Sequence, residues 1–308
     1  DSLSRFPDQR IARQVVDYYF VPGGKSPDKG YKPVPMYTSH RGWRQRDQAL
    51  LVVANFVEVD RAKQGHNNKV GVNYLTELEE PHLLSFYGAM LARVDVVVMG
   101  AGIPFQVPRA LDDFAKQQSS YFKLNVLGAQ KDDYFREIFD PAEFSEITSK
   151  LDLKRPDFLP IIASDTLAKA FIKRAEGEIQ GFIIEGPTAG GHNAPPRGKY
   201  PINPETGEPI YGERDIVDLK VIRELGKPFW LAGSYASPAG LATALAEGAS
   251  GIQVGSIFAL SDESGIDSGS KQHLRQQALE GRLKVLTSAE ASPSGYPFKV
   301  AQVDFSVS

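Results

Sequence analysis

Cysteine is absent from the chain. Its absence excludes disulfides, thiolate metal ligands and a cysteine nucleophile. It also fits a reducing compartment, so a cytoplasmic location is expected. Histidine is sparse: the five residues are scattered and none falls in an HExxH pattern, so no metal is expected. There is no Gly-x-Ser-x-Gly nucleophile elbow and no Walker phosphate loop. No apolar run reaches membrane-spanning length, and Asp1-Ser2-Leu3-Ser4-Arg5 does not read as a signal peptide. Nor is charge of one sign in excess, since 35 basic residues face 38 acidic ones. No cationic stripe stands out, so neither nucleic acid nor a membrane is expected as a partner. Arg41, Arg44 and Arg46 read as a solvated loop and helix start.

What is present suits a large α/β domain. Of 308 residues, 42% are hydrophobic, enough for a sizeable core. Short apolar runs fall at residues 70–75, 94–99, 159–163, 181–184, 228–232 and 251–254. Continuous rather than alternating runs suit strands buried on both faces of a parallel sheet. Helical segments separate them. Residues 44–64 read as a long core-facing helix, with Arg61 and Lys63 near its C-terminal dipole. Ser164 is placed to cap a helix over 165–175, with Gly177 as its stop. Ser237-Pro238 reads as an N-cap followed by proline at the first helical position, with Gly248 as the stop. Two segments exceed a minimal βα repeat. Residues 105–157 contain an alternating stretch, 121–127, with 34–38 as its candidate strand partner. Residues 187–214 contain a hairpin pattern around Glu205-Thr206-Gly207. Long excursions of this kind commonly form functional loops or lids.

Four segments sit just after predicted strands, the end of an α/β sheet where ligands bind. Gly233-Ser234 and Gly255-Ser256 each place a glycine and a small hydroxyl residue where a strand stops. Either pair alone reads as an ordinary tight turn. Together, at consecutive final strands, they point to backbone amides cradling the phosphate of a cofactor. The third segment runs from Ile184 through Gly190-Gly191-His192 to Pro196. Glycines remove side chains that would block a flat ligand, and histidine titrates near neutrality, so His192 is a candidate base or anion holder. His40, His66, His82 and His273 lack that context and read as structural or exposed. The fourth segment is Gly71-Val72-Asn73, with Gly100-Ala101-Gly102 at the next strand end. Asn73 suits either the polar edge of a ligand ring or a turn cap.

Together these segments resemble the nitronate monooxygenase (2-nitropropane dioxygenase) family, whose relatives include flavin-dependent enoyl-ACP reductases. The resemblance covers roughly residues 35–303. It is most specific over Glu185-Gly186-Pro187-Thr188-Ala189-Gly190-Gly191-His192-Asn193-Ala194-Pro195-Pro196, and extends to the stretches 249–256 and 292–299. It implies a TIM-type (β/α) barrel binding FMN, with catalytic His192. By the same resemblance Gly233, Ser234, Gly255 and Ser256 lie at the phosphate, Asn73, Gly190 and Gly191 border the flavin, and Gln253 lies in a flavin-proximal motif. Thr188 stands where the family usually carries Glu, Asn193-Ala194 follows the histidine in place of x-Gly, and Ser256 often aligns with Thr. A differing substrate pocket is therefore expected.

The family's first two strands are not recognisable in the sequence. The expectation is a single barrel domain over 1–308, incomplete at its N-terminus, with 105–157 and 187–214 as insertions. Oligomer contacts or further segments would cover its open edges. Three functions are consistent with this reading. The first is FMN-dependent oxidation of nitronates or nitroalkanes by dioxygen. The second is FMN-dependent reduction of enoyl thioesters by NAD(P)H. The third is a flavin-binding piece that is inactive without other segments.

Overall fold

A computed structural model describes residues 1–33, 44–130, 132–292 and 296–303. The chain forms two compact units. The first comprises Asp1–Met99, Pro104–Phe158 and Ala175–Ile179; the second comprises Gly100–Ile103, Leu159–Arg174 and Gln180–Ser308. Among the described residues no helix is long and apolar enough to cross a membrane.

In the first unit, helices α1 (Ser2–Arg5), α2 (Gln9–Tyr19) and α3 (Gln45–Ala62) precede strand β1 (Gly71–Leu75), helix α4 (His82–Leu91) and strand β2 (Val96–Gly100). The long helix read from the sequence is α3. Arg44 and Arg46 lie at its start, both close to Asp47, at 3.3 and 3.6 Å; Arg41 lies outside the described residues. Every residue of α4 is buried. Its approach to α3 depends on Gly88, where a Cβ would stand 2.2 Å from the carbonyl oxygen of Val52. The segment too long for one connection then carries α5 (Val107–Ala115), strands β3 (Ser120–Lys123) and β4 (Arg136–Phe139), and α6 (Pro141–Phe144). The expected extra strand is β3. It pairs antiparallel with β4, Tyr121 opposite Ile138. The partner proposed from the sequence, 34–38, lies outside the described residues. Tyr87, Phe114, Phe139 and Phe144 pack as an aromatic cluster beneath the hairpin, with centroids 5.2 to 6.1 Å from the ring of Tyr87.

In the second unit, β5 (Asp157–Ile162, its first two residues belonging to the first unit), β6 (Phe182–Glu185), β7 (Phe229–Ala232) and β8 (Gly251–Gln253) pair in parallel and in that order. Helices α7 (Asp165–Arg174), α8 (Leu219–Glu224) and α9 (Pro238–Ala246) follow β5, β6 and β7 in turn. All six apolar runs are therefore strands, and the architecture is α/β. The caps match the sequence reading. The amide of Leu167 donates to Ser164 Oγ at 3.1 Å, that of Gly240 donates to Ser237 Oγ at 2.9 Å, and Gly248 leaves α9 with φ +82°. The turn at 203–208 is closed by amides of Asn203 and Gly207 donating to Glu208 and Asn203 carbonyls, both at 2.9 Å, with Ile202 bridged to Pro209. After β8 come α10 (Ser256–Ala259) and α11 (Ser268–Leu279). An antiparallel pair, β9 (Lys284–Ser288) and β10 (Phe298–Gln302), ends the unit.

Candidate functional site

Strand pairing decides which loops can meet. Parallel register sets Glu185 opposite Ala232 and Ala232 opposite Gln253, so the segments after β6, β7 and β8 leave the sheet side by side. Glycine then lets them touch. A Cβ on Gly190 would stand 2.1 Å from Ser256 Oγ. One on Gly233 (φ +101°) would stand 3.0 Å from Thr188 Oγ1 and 3.1 Å from the Ala189 amide. Gly190, Gly233, Gly255 and Ser256 thus belong to one cluster of loops, as the sequence reading required. Ser234 adopts φ +61°, a left-handed conformation that costs a non-glycine residue on the order of 1–2 kcal/mol. Such strain is held where the surrounding structure fixes it.

This cluster fits a phosphate. The amides of Ser234, Gly255 and Ser256 donate to no backbone carbonyl among the described residues. All three residues are exposed, and a Cβ on Gly255 would meet nothing within 4 Å. Beside them Gln253 buries its side-chain oxygen without a hydrogen-bond partner. A buried, unsatisfied acceptor is rare in folded chains, and a donor on a ligand ring would satisfy it.

His192 sits on the neighbouring loop. Gly191 (φ +81°) turns the chain, and the loop is then sewn to β10. Lys299 N–H donates to Gly191 O at 2.9 Å and Asn193 N–H donates to Pro297 O at 2.8 Å. The imidazole lies edge-on to Phe298, centroids 4.8 Å apart at 75°, and its Nε2 is 2.7 Å from Ser292 Oγ. Two contacts therefore fix the ring. Asn193 is 2% exposed and donates to Ala189 O, but its own Oδ1 lacks a partner.

His192 borders a cavity of about 200 Å³ lined by residues of the second unit alone. One wall is apolar: Ile161, Ile162, Ala163 and Leu167. The other is polar: Glu185, Arg197, Tyr211 and Asp215 join His192 and Asn193. Tyr211 Oη donates to Ala194 O at 2.9 Å, and burial pushes its phenol up to about 12. Burial also pushes the Glu185 carboxyl up to about 7. The glycine–serine residues do not line this cavity; the loop 186–192 joins the two places. Asn73 is elsewhere, exposed in β1 of the first unit.

Several of these residues escaped the sequence reading. Glu185 is a carboxylate ending an apolar strand, a signal that could have been noticed. Arg197, Tyr211, Asp215 and Ser292 lie in loops with no distinguishing pattern. Of the other histidines, His82 is 3% exposed and packed in the first unit, and His66 is exposed; His40 lies outside the described residues.

A family model described as nitronate monooxygenase matches residues 143–301. The chain belongs to the nitronate monooxygenase family. The match takes in β5 to β8, the glycine loop and the His192 cavity. Among solved structures, FabK from Thermotoga maritima is similar at 22% identity and TM-score 0.51, over 84% of this chain and 60% of that one. A point mutant of the same FabK is similar at 21% identity and TM-score 0.48, over 82% and 68%. The first likeness is one of fold. The chain spans 60% of the length of that FabK. No curated protein sequence matches it.

Proposed function

We propose that this member of the family binds FMN beside the ends of β7 and β8 and oxidises nitronates, or nitroalkanes after loss of an α-proton, with dioxygen. The observation that carries the reading is the continuous loop 186–192. At Gly190 it touches Ser256 of the amide cluster, and at His192 it borders the cavity. Phosphate would be held by the amides of Gly233, Ser234, Gly255 and Ser256, with Gln253 and Gly191 toward the ring system. Asn73, on β1, is the remaining candidate contact, and a (β/α) barrel is the architecture the reading assumes. Bound FMN would supply the electron transfer to dioxygen.

The chain's own part is proton handling and positioning. When His192 Nε2 donates to Ser292 Oγ, Nδ1 presents a lone pair. That nitrogen can accept the α-proton of a nitroalkane, and the resulting imidazolium holds the nitronate oxygen by a charge-assisted hydrogen bond. The apolar wall of Ile161, Ile162 and Leu167 takes the alkyl group and excludes water.

That same wall suits a short acyl chain, which favours enoyl-thioester reduction by NAD(P)H as the second reading. An anaerobic titration of the FMN-loaded protein separates the two. Bleaching of the flavin spectrum by propyl-1-nitronate and not by NADPH supports the proposal. Bleaching by NADPH, followed by reoxidation with an enoyl thioester, overturns it.

A further inference from the structure

Glu185 is the last residue of β6, and its side chain is turned into the cavity that His192 borders. Among the described residues its carboxyl makes no hydrogen bond or ion pair. The groups around it are committed elsewhere. Tyr211 Oη donates to Ala194 O, and Arg197 sits 3.9 Å from Asp215, whose Oδ1 also accepts the Arg197 amide. From β5 and the segment after it come only Ile161, Ile162, Ala163 and Ser164, and from 101–103 only apolar groups and backbone. The titratable and charged groups facing this space are therefore His192, Arg197, Tyr211, Asp215 and Tyr296, with Tyr200 close to Tyr211.

A carboxylate buried without a donor is costly, whereas a neutral carboxylic acid in the same place has a proton to offer. We infer that Glu185 is a proton-holding ligand-binding residue, whose neutral carboxyl donates a hydrogen bond to an oxygen of a small planar oxyanion in the His192 cavity. The oxyanion is the nitronate group, so the inference rests on the proposed function for the identity of its ligand. Ionisation removes the donated proton and sets two negative charges against each other, so binding weakens as Glu185 titrates. Burial places that titration at about 7. No bond is made or broken by Glu185 in this role.

The test uses the full chain and nitrate, a planar oxyanion that is not turned over. Difference infrared spectra between pH 5 and pH 9 should show a carboxylic acid C=O band that disappears near neutrality in the wild type and is missing in Glu185→Gln. Nitrate should bind about tenfold more tightly at pH 6 than at pH 8, the change in the protonated fraction of a group titrating midway. Glu185→Gln, whose amide still donates, should bind nitrate with that pH step abolished. A carboxyl band gone by pH 5 overturns the inference and leaves the FMN reading standing. So does a pH step that persists unchanged in Glu185→Gln. Failure of the wild type to bind nitrate at any pH overturns the inference and the nitronate reading together. The infrared measurement on the wild type needs no variant and no flavin, so misfolding of Glu185→Gln cannot rescue the idea.

Discussion

His82 in the first unit and Glu185 in the second are both ionisable and both removed from water, yet they differ in what meets them. His82 is enclosed. Its Nε2 lies 3.0 Å from Leu75 O, and its ring stacks on Phe86 at 5.7 Å and 8°. The rings of Tyr74 and Phe122 stand at its edges. Burial holds its pKa down at about 4. Glu185 has the same desolvation, acting in the opposite sense on an acid, but it opens on a cavity and has no protein partner. A buried polar group whose surroundings are filled serves the fold. One that faces a void is available to a ligand.

The largest expected effect breaks the comparison at the functional end. If the cavity is the reaction site, His192→Ala should lower nitroalkane turnover on the order of 10²–10⁴-fold, because a positioned base is lost. Steady-state oxygen uptake checks this, and unchanged turnover would return His192 to the structural class occupied by His82. Next come two stability effects of opposite sign. The folded state disfavours charged His82, so unfolding takes up a proton between pH 6.5 and about 4. Stability should be full above that range and fall by roughly 3 kcal/mol as pH drops through it. Glu185 is the mirror case, because unfolding releases a proton between 4.5 and about 7. Its contribution should be full below pH 4.5 and be lost as pH rises through 7, again by roughly 3 kcal/mol. Urea denaturation of wild type, His82→Gln and Glu185→Gln across pH 4 to 8 separates the two slopes. Each variant should flatten only its own.

The smallest effect sharpens the picture of the site. Ser292→Ala removes the oxygen 2.7 Å from His192 Nε2, a hydrogen bond with a net value of about 1 kcal/mol. Turnover should fall roughly fivefold, with its pH profile displaced, while FMN affinity stays as in wild type. A parallel loss of FMN affinity would mean that Ser292 supports the loop and not the imidazole.

Much of this was legible in the sequence. The apolar runs mark β1, β2 and β5 to β8 because strands covered on both faces have no polar side to alternate with. Ser164 and Ser237 announce helix starts because their side chains satisfy amides the helix cannot. The double glycine before His192 was legible for a similar reason, since few other residues allow its backbone. What stayed hidden depends on distance along the chain. Ser292 lies 100 residues from the histidine it touches. Strand β4 pairs with β3 although its sequence shows no strong pattern, and a cavity has no sequence signature. Glu185 was in view as part of a motif. Its unpartnered carboxyl emerges only when Tyr211 and Arg197 are seen to be engaged elsewhere.

The account rests most heavily on the open amides at the ends of β7 and β8. Its most direct test is titration of the apo-protein with FMN, followed by quenching of flavin fluorescence, for wild type and Gly255→Asp. The expected result is saturable binding by wild type, and affinity lower by on the order of 10²-fold or more in the variant, where a carboxylate would face the phosphate. Failure of wild type to quench FMN, or equal affinity in Gly255→Asp, would contradict it.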